Sequence, residues 1–152
     1  MGSQVGRAGL PGCASGCVMI LLDTHVVIWA VIADPHLGEQ ARAAIRQDRD
    51  RRISAMVAWE VAMLARKRRL AFSIPVETWL DRAMIALEAR DVPVSREIAQ
   101  EAGGLPDDVH GDPGDRIMVA TARQTGAMLI TADRKILAYA AAGHLNAIDA
   151  RA

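Results

Sequence analysis

Two short apolar runs, each ending at an aspartate and each followed by a helix-like segment, constrain this chain more than any other feature. The first is Val18-Met19-Ile20-Leu21-Leu22 with Asp23 behind it, and the second is Ala127-Met128-Leu129-Ile130-Thr131-Ala132 with Asp133 behind it. Runs this short and this apolar read as strands buried on both faces, which occur where helices cover a parallel sheet. Between them, helix-like stretches over 24–32, 36–47, 57–69, 76–90, 95–102 and 113–124 alternate with extended candidates over 52–56 and 92–94. A helix over 134–142 and an edge strand over 145–148 follow. Such alternation predicts a three-layer α/β/α sandwich around a mostly parallel central sheet. In sheets of this kind the working crevice lies beyond the carboxyl ends of the strands, where Asp23 and Asp133 would stand together if their strands are neighbours.

A length of 152 residues with 51% hydrophobic composition suits one domain with one core, here assigned to residues 19–152. The Gly-rich residues 1–18 are expected to form a disordered leader, and Met19 would make a natural first residue. Cys13 and Cys17 fall in that leader with no His at zinc spacing, so a structural zinc site is not expected. A formal net charge of zero gives no bulk attraction to nucleic acid or membrane. No apolar stretch approaches the roughly 18 residues of a membrane span, and a cytoplasmic protein is expected.

Glu60 stands inside Val57-Ala58-Trp59-Glu60-Val61-Ala62-Met63-Leu64-Ala65, where a carboxylate loses hydration and needs a cationic partner, a raised pKa or a metal ion. Asp112 and Asp115 belong to His110-Gly111-Asp112-Pro113-Gly114-Asp115-Arg116. Proline at the first helical position makes Asp112 an N-cap and sets Asp115 in the first turn, at the positive end of the helix dipole. Capping is a sufficient account of either residue alone, and it applies to Asp23 and Asp133 as well. Glu60, in mid-helix, is no cap.

In order and spacing, these elements resemble the PIN-domain ribonucleases, and among them the VapC-type toxins of toxin-antitoxin systems. The resemblance runs from Met19 to about Ile148 through Leu21-Leu22-Asp23-Thr24-His25, Ser54 to Ala62, His110 to Ala122 and Leu129 to Ile136. It implies a metal-dependent endoribonuclease in which Asp23, Glu60, Asp115 and Asp133 are the catalytic, metal-binding acids, with Asp112 and Thr131 as accessories. It also implies Mg²⁺ as cofactor with Mn²⁺ able to substitute, an RNA substrate, a cognate VapB-like antitoxin and a homodimer. Gly114 departs from the pattern, since related toxins commonly carry a bulky aromatic residue there.

Clustered carboxylates without metal repel one another, whereas Mg²⁺ holds them ionised and activates water. Hard oxygen donors without cysteine suit Mg²⁺ or Mn²⁺ rather than zinc. Arg116 and Arg134 directly follow acids and are candidate RNA contacts, and Arg66-Lys67-Arg68-Arg69 is a weaker one. Trp29, Trp59 and Trp79 are assigned to core or interface packing. Two other functions stay open. A haloacid-dehalogenase-like phosphatase also begins with a strand and an Asp, but its second Asp, two residues on, is His25 here. A catalytically silent binding module would use the acids as caps alone.

Overall fold

A computed structural model describes residues 18–106 and 111–152. Residues 1–17 of the expected leader, with both cysteines, and residues 107–110 lie outside the described residues.

The elements follow the order β1 (Ile20–Leu22), α1 (Thr24–Val31), α2 (Glu39–Gln47), β2 (Arg51–Ser54), α3 (Ala55–Arg66), α4 (Val76–Ala86), β3 (Arg90–Val92), α5 (Arg96–Gly103), α6 (Pro113–Thr125), β4 (Met128–Thr131), α7 (Arg134–Ala141) and β5 (Ala147–Asp149). The five strands form one sheet in the order β3-β2-β1-β4-β5, and every pairing is parallel. Ile20, Leu21 and Leu22 point alternately to opposite faces yet are all at most 1% exposed, so helices cover both sides of β1. The core continues through Val26, Val57, Val61, Val119, Leu129 and Ile130.

Several boundaries differ from the sequence expectation for identifiable reasons. Residues 55 and 56 belong to α3 rather than to β2, because the Ser54 hydroxyl accepts from the Met56 amide at 3.1 Å and starts the helix there. The second helix begins at Glu39, not at residue 36, because the Asp34 carboxylate takes both the His36 amide (2.8 Å) and the His36 ring Nδ1 (2.6 Å) into a local turn. The fourth ends at Ala86 because Glu88 adopts a left-handed φ of 47°, and Arg90 is already in β3. The third stops at Arg66, before the end of the basic run. Trp59 is 56% exposed and does not belong to the core, whereas Trp29 and Trp79 pack against it.

After β5 the chain is seated on the amino end of α2. Gly38 and Gln40 donate their amides to Ala150 O (2.8 Å) and Ala152 O (2.9 Å). A Cβ at Gly38 would lie 2.0 Å from Ala152 O, so only glycine admits this approach. Among the described residues, no helix is long and apolar enough to cross a membrane.

Candidate active site

The chain leaves β1 toward β2 on one side and takes β4 on the other, so the strand order reverses direction at β1. A crevice opens at the carboxyl ends of strands at such a point. Here it is a cavity of about 240 Å³ lined by Asp23, His25, Trp29, Glu60, Asp115, Ala132, Asp133 and Arg151. The four acids assigned from sequence therefore share one cavity, although they come from β1, α3, α6 and β4 and their junctions.

Asp23 caps α1, its Oδ1 accepting from the Thr24 amide at 2.8 Å. Its Oδ2 accepts from Thr131 Oγ1 at 2.6 Å, and the same hydroxyl accepts from the Asp133 amide at 3.1 Å. Thr131 thus ties the ends of β1 and β4 together through one buried oxygen. Asp133 Oδ1 caps α7, accepting from Lys135 N (2.8 Å) and Ile136 N (2.9 Å). Capping and site formation coexist in both aspartates. Glu60 is fixed by a hydrogen bond that Thr24 Oγ1 donates to its Oε2. Asp112 caps α6 by accepting from the Asp115 amide at 3.1 Å, which sets Asp115 in the first turn.

Desolvation dominates the electrostatics. Burial pushes the Asp23 carboxyl above its usual range, against the pull of the Thr131 and Thr24 hydrogen bonds. Burial also pushes Glu60 up to about 7, opposed by the Thr24 hydroxyl and reinforced by Asp23, Asp115 and Asp112. Neither Asp23 nor Glu60 forms an ion pair among the described residues.

The donor set fits a hard divalent cation, since all the acids offer oxygen and two of them, Asp23 and Glu60, are desolvated without an ion pair. Among the described residues, no three His, Cys, Asp or Glu side chains close on one point. The carboxylates line an open cavity rather than a finished cage, a geometry suited to Mg²⁺, which keeps several of its waters.

Gly114 admits Glu60 to this arrangement. A Cβ there would meet Glu60 Oε1 at 2.8 Å and Asp112 Oδ1 at 3.1 Å, so the residue that departs from the family pattern is packed against a site carboxylate. The two candidate RNA-contacting arginines are placed differently. Arg116 donates to Ala102 O (2.8 Å) and Gly103 O (3.3 Å) at the end of α5 and does not line the cavity, while Arg134 is exposed at the start of α7. Sequence reasoning did not assign Thr24, His25, Trp29 or Arg151 to the site. Position next to Asp23 was the available signal for Thr24. For Arg151 it was strand register, since Thr131 pairs with Asp149 and both Asp133 and Arg151 lie two residues further on.

The PIN domain family model matches residues 20–142. Ribonuclease VapC22 of Mycobacterium tuberculosis is 34% identical over 120 residues, covering 79% of this chain and 91% of that protein. Among solved structures, VapBC2 from Rickettsia felis bound to a DNA fragment from its promoter superposes with a TM-score of 0.60 at 17% identity, covering 86% of this chain and 97% of that one. A toxin-antitoxin complex from Klebsiella pneumoniae gives 0.51 at 23% identity, covering 75% and 86%. With its fold, its acids and these relatives in agreement, the chain belongs to the PIN-domain family and, within it, to the VapC ribonucleases.

Proposed function

We propose that this protein is a Mg²⁺-dependent endoribonuclease acting as the toxin of a toxin-antitoxin pair. The observation that carries the reading is the meeting of Asp23, Glu60, Asp115 and Asp133 in one cavity, with Asp23 half-buried, desolvated and without an ion pair. A phosphatase of the haloacid-dehalogenase kind is disfavoured by the family, and a silent module has no use for several desolvated carboxylates gathered without an ion pair to Asp23 or Glu60.

Asp23 and Asp133 would hold the metal directly, with Glu60 and Asp115 completing the set or holding water. When bound, Mg²⁺ supplies a counter-charge to the phosphate and lowers the pKa of a water. The chain's own residues supply position. Thr131 sets the spacing of Asp23 and Asp133, Thr24 aims Glu60 into the cavity, and the Asp112 cap fixes where the first turn of α6 presents Asp115. Held this way, the carboxylates need no rearrangement as charge develops on the phosphodiester. Mn²⁺, with similar ligand preference, would substitute.

The shared fold of the toxin-antitoxin complex described above supports a VapB-like antitoxin as partner, and a homodimer is proposed with it. The test is incubation of total RNA with the purified protein, freed of any copurified antitoxin. Discrete fragments are expected with Mg²⁺, none with EDTA, and recovery with Mn²⁺. Cleavage indifferent to EDTA would refute the metal reading, and intact RNA under every condition would refute the nuclease reading.

A second outcome concerns Gly114. Alanine there makes the Glu60 carboxylate, the far end of a flexible side chain, give way slightly, and a misplacement well below about 1 Å is expected to lower cleavage, by about tenfold at most. Circular dichroism should show the fold unchanged. Undiminished cleavage by Gly114→Ala would show that Glu60 does not need its observed position.

A further inference from the structure

A cavity lined by four carboxylates repels the anionic backbone it is proposed to cut, even when a divalent ion neutralises part of the charge. Among the described residues lining it, Arg151 is the one Arg or Lys. Its guanidinium is not spent on the acids. Nη1 donates to Ala132 O at 2.7 Å, and the group lies 5.6 Å from the centre of the Trp29 ring, within cation-π range. No ion pair to Arg151 forms among the described residues. A guanidinium carries five N–H donors, so most of the fork remains available at the exposed mouth of the cavity.

The backbone around it is held firmly. The Arg151 amide donates to Asp149 Oδ1 at 2.9 Å, Ala150 donates to Thr131 O at 2.8 Å, and Ala152 O accepts from Gln40. Trp29 also stacks on His36, with ring centres 5.6 Å apart, and His36 is held in turn by Asp34. The cation is therefore braced beside Asp133 by a strand register, a carbonyl and a buttressed indole. Guanidinium and phosphate oxygens match in charge and in bidentate geometry.

We infer that Arg151 is the substrate-positioning residue of the cavity, receiving a phosphate of single-stranded RNA at the mouth so that the adjoining phosphodiester enters among the acids. The inference deepens the ribonuclease reading and rests on it. Arg116, the arginine singled out from sequence, is turned to the carbonyls of α5 instead.

The test uses the full chain with Mg²⁺ and a mixed-sequence pool of single-stranded RNA oligonucleotides. Arg151→Ala is expected to raise KM roughly tenfold while kcat falls no more than about threefold, the pattern of a lost ground-state contact. Binding is measured separately in an Asp23→Asn background as salt is varied. Loss of one phosphate contact should reduce the slope of log K against log salt by about 0.7, a change that a merely structural role would not produce. Arg151→Lys should restore the slope and only part of the KM, because an ammonium lacks the planar fork. An unchanged slope with Arg151→Ala overturns the inference, whether or not cleavage falls. If the parent binds the pool but cuts nothing, the ribonuclease reading fails while the slope still decides the role of Arg151, and a parent that neither binds nor cuts overturns both.

Discussion

Asp23→Asn is expected to reduce RNA cleavage by roughly 10²- to 10³-fold, the scale seen when a preorganised group at a reacting centre is removed. The loss should come without unfolding. Asparagine is as good an N-cap as aspartate, its oxygen can accept from the Thr24 amide, and its NH₂ can donate to the Thr131 hydroxyl in place of the present bond. Removing a desolvated negative charge also removes the penalty that holds the Asp23 pKa up, so the metal-free variant should melt at a higher temperature than the parent. Saturating Mg²⁺ should narrow that gap, because a ligand bound only by the folded parent stabilises it by mass action. Thermal melting with and without Mg²⁺, run beside the cleavage assay, checks both parts. A variant that cleaves RNA like the parent would remove Asp23 from the mechanism.

Glu60→Gln is expected to show the same exchange of stability for activity, with a signature in pH. The folded pKa of Glu60, about 7, lies above its ordinary value of 4.5. Between those values the folded chain holds a proton that the unfolded chain has lost, so Glu60 makes stability fall as pH rises through that window. Glutamine keeps an oxygen for the Thr24 hydroxyl and carries no charge. In metal-free buffer the variant should therefore melt several degrees above the parent at about pH 8 and converge with it near pH 4. Asp23, shifted in the same direction, leaves a residual slope in both proteins. Cleavage should fall at least roughly hundredfold. Parallel melting curves across the whole pH range would show that Glu60 is not desolvated in the way described.

The layered α/β architecture was legible because β1 and β4 advertise burial by unbroken apolarity, and because Asp23 and Asp133 follow them directly. Glu60 was legible for the opposite reason, as a charge where none is cheap. Strand order was not, since nothing local distinguishes β1 as the central strand from β1 at an edge. Of the two packing roles read for Trp59, core or interface, the core one fails, because the helix turns that indole to solvent although its neighbours in sequence are apolar. Arg151 has no motif around it. It reaches the cavity only through the pairing of β4 with β5, a contact between strands whose residues are individually unremarkable.

The central position of β1 bears on synthesis as well as on structure. Emerging from the ribosome, the chain can pair β1 with β2, but the other side of β1 stays open until β4 has been made more than a hundred residues later. Until then Asp23 lacks Thr131 and Asp133, and Trp29 lacks Arg151. The cavity is thus the last part of the fold to be completed, since its two aspartates share a hydroxyl only once the final strands have closed.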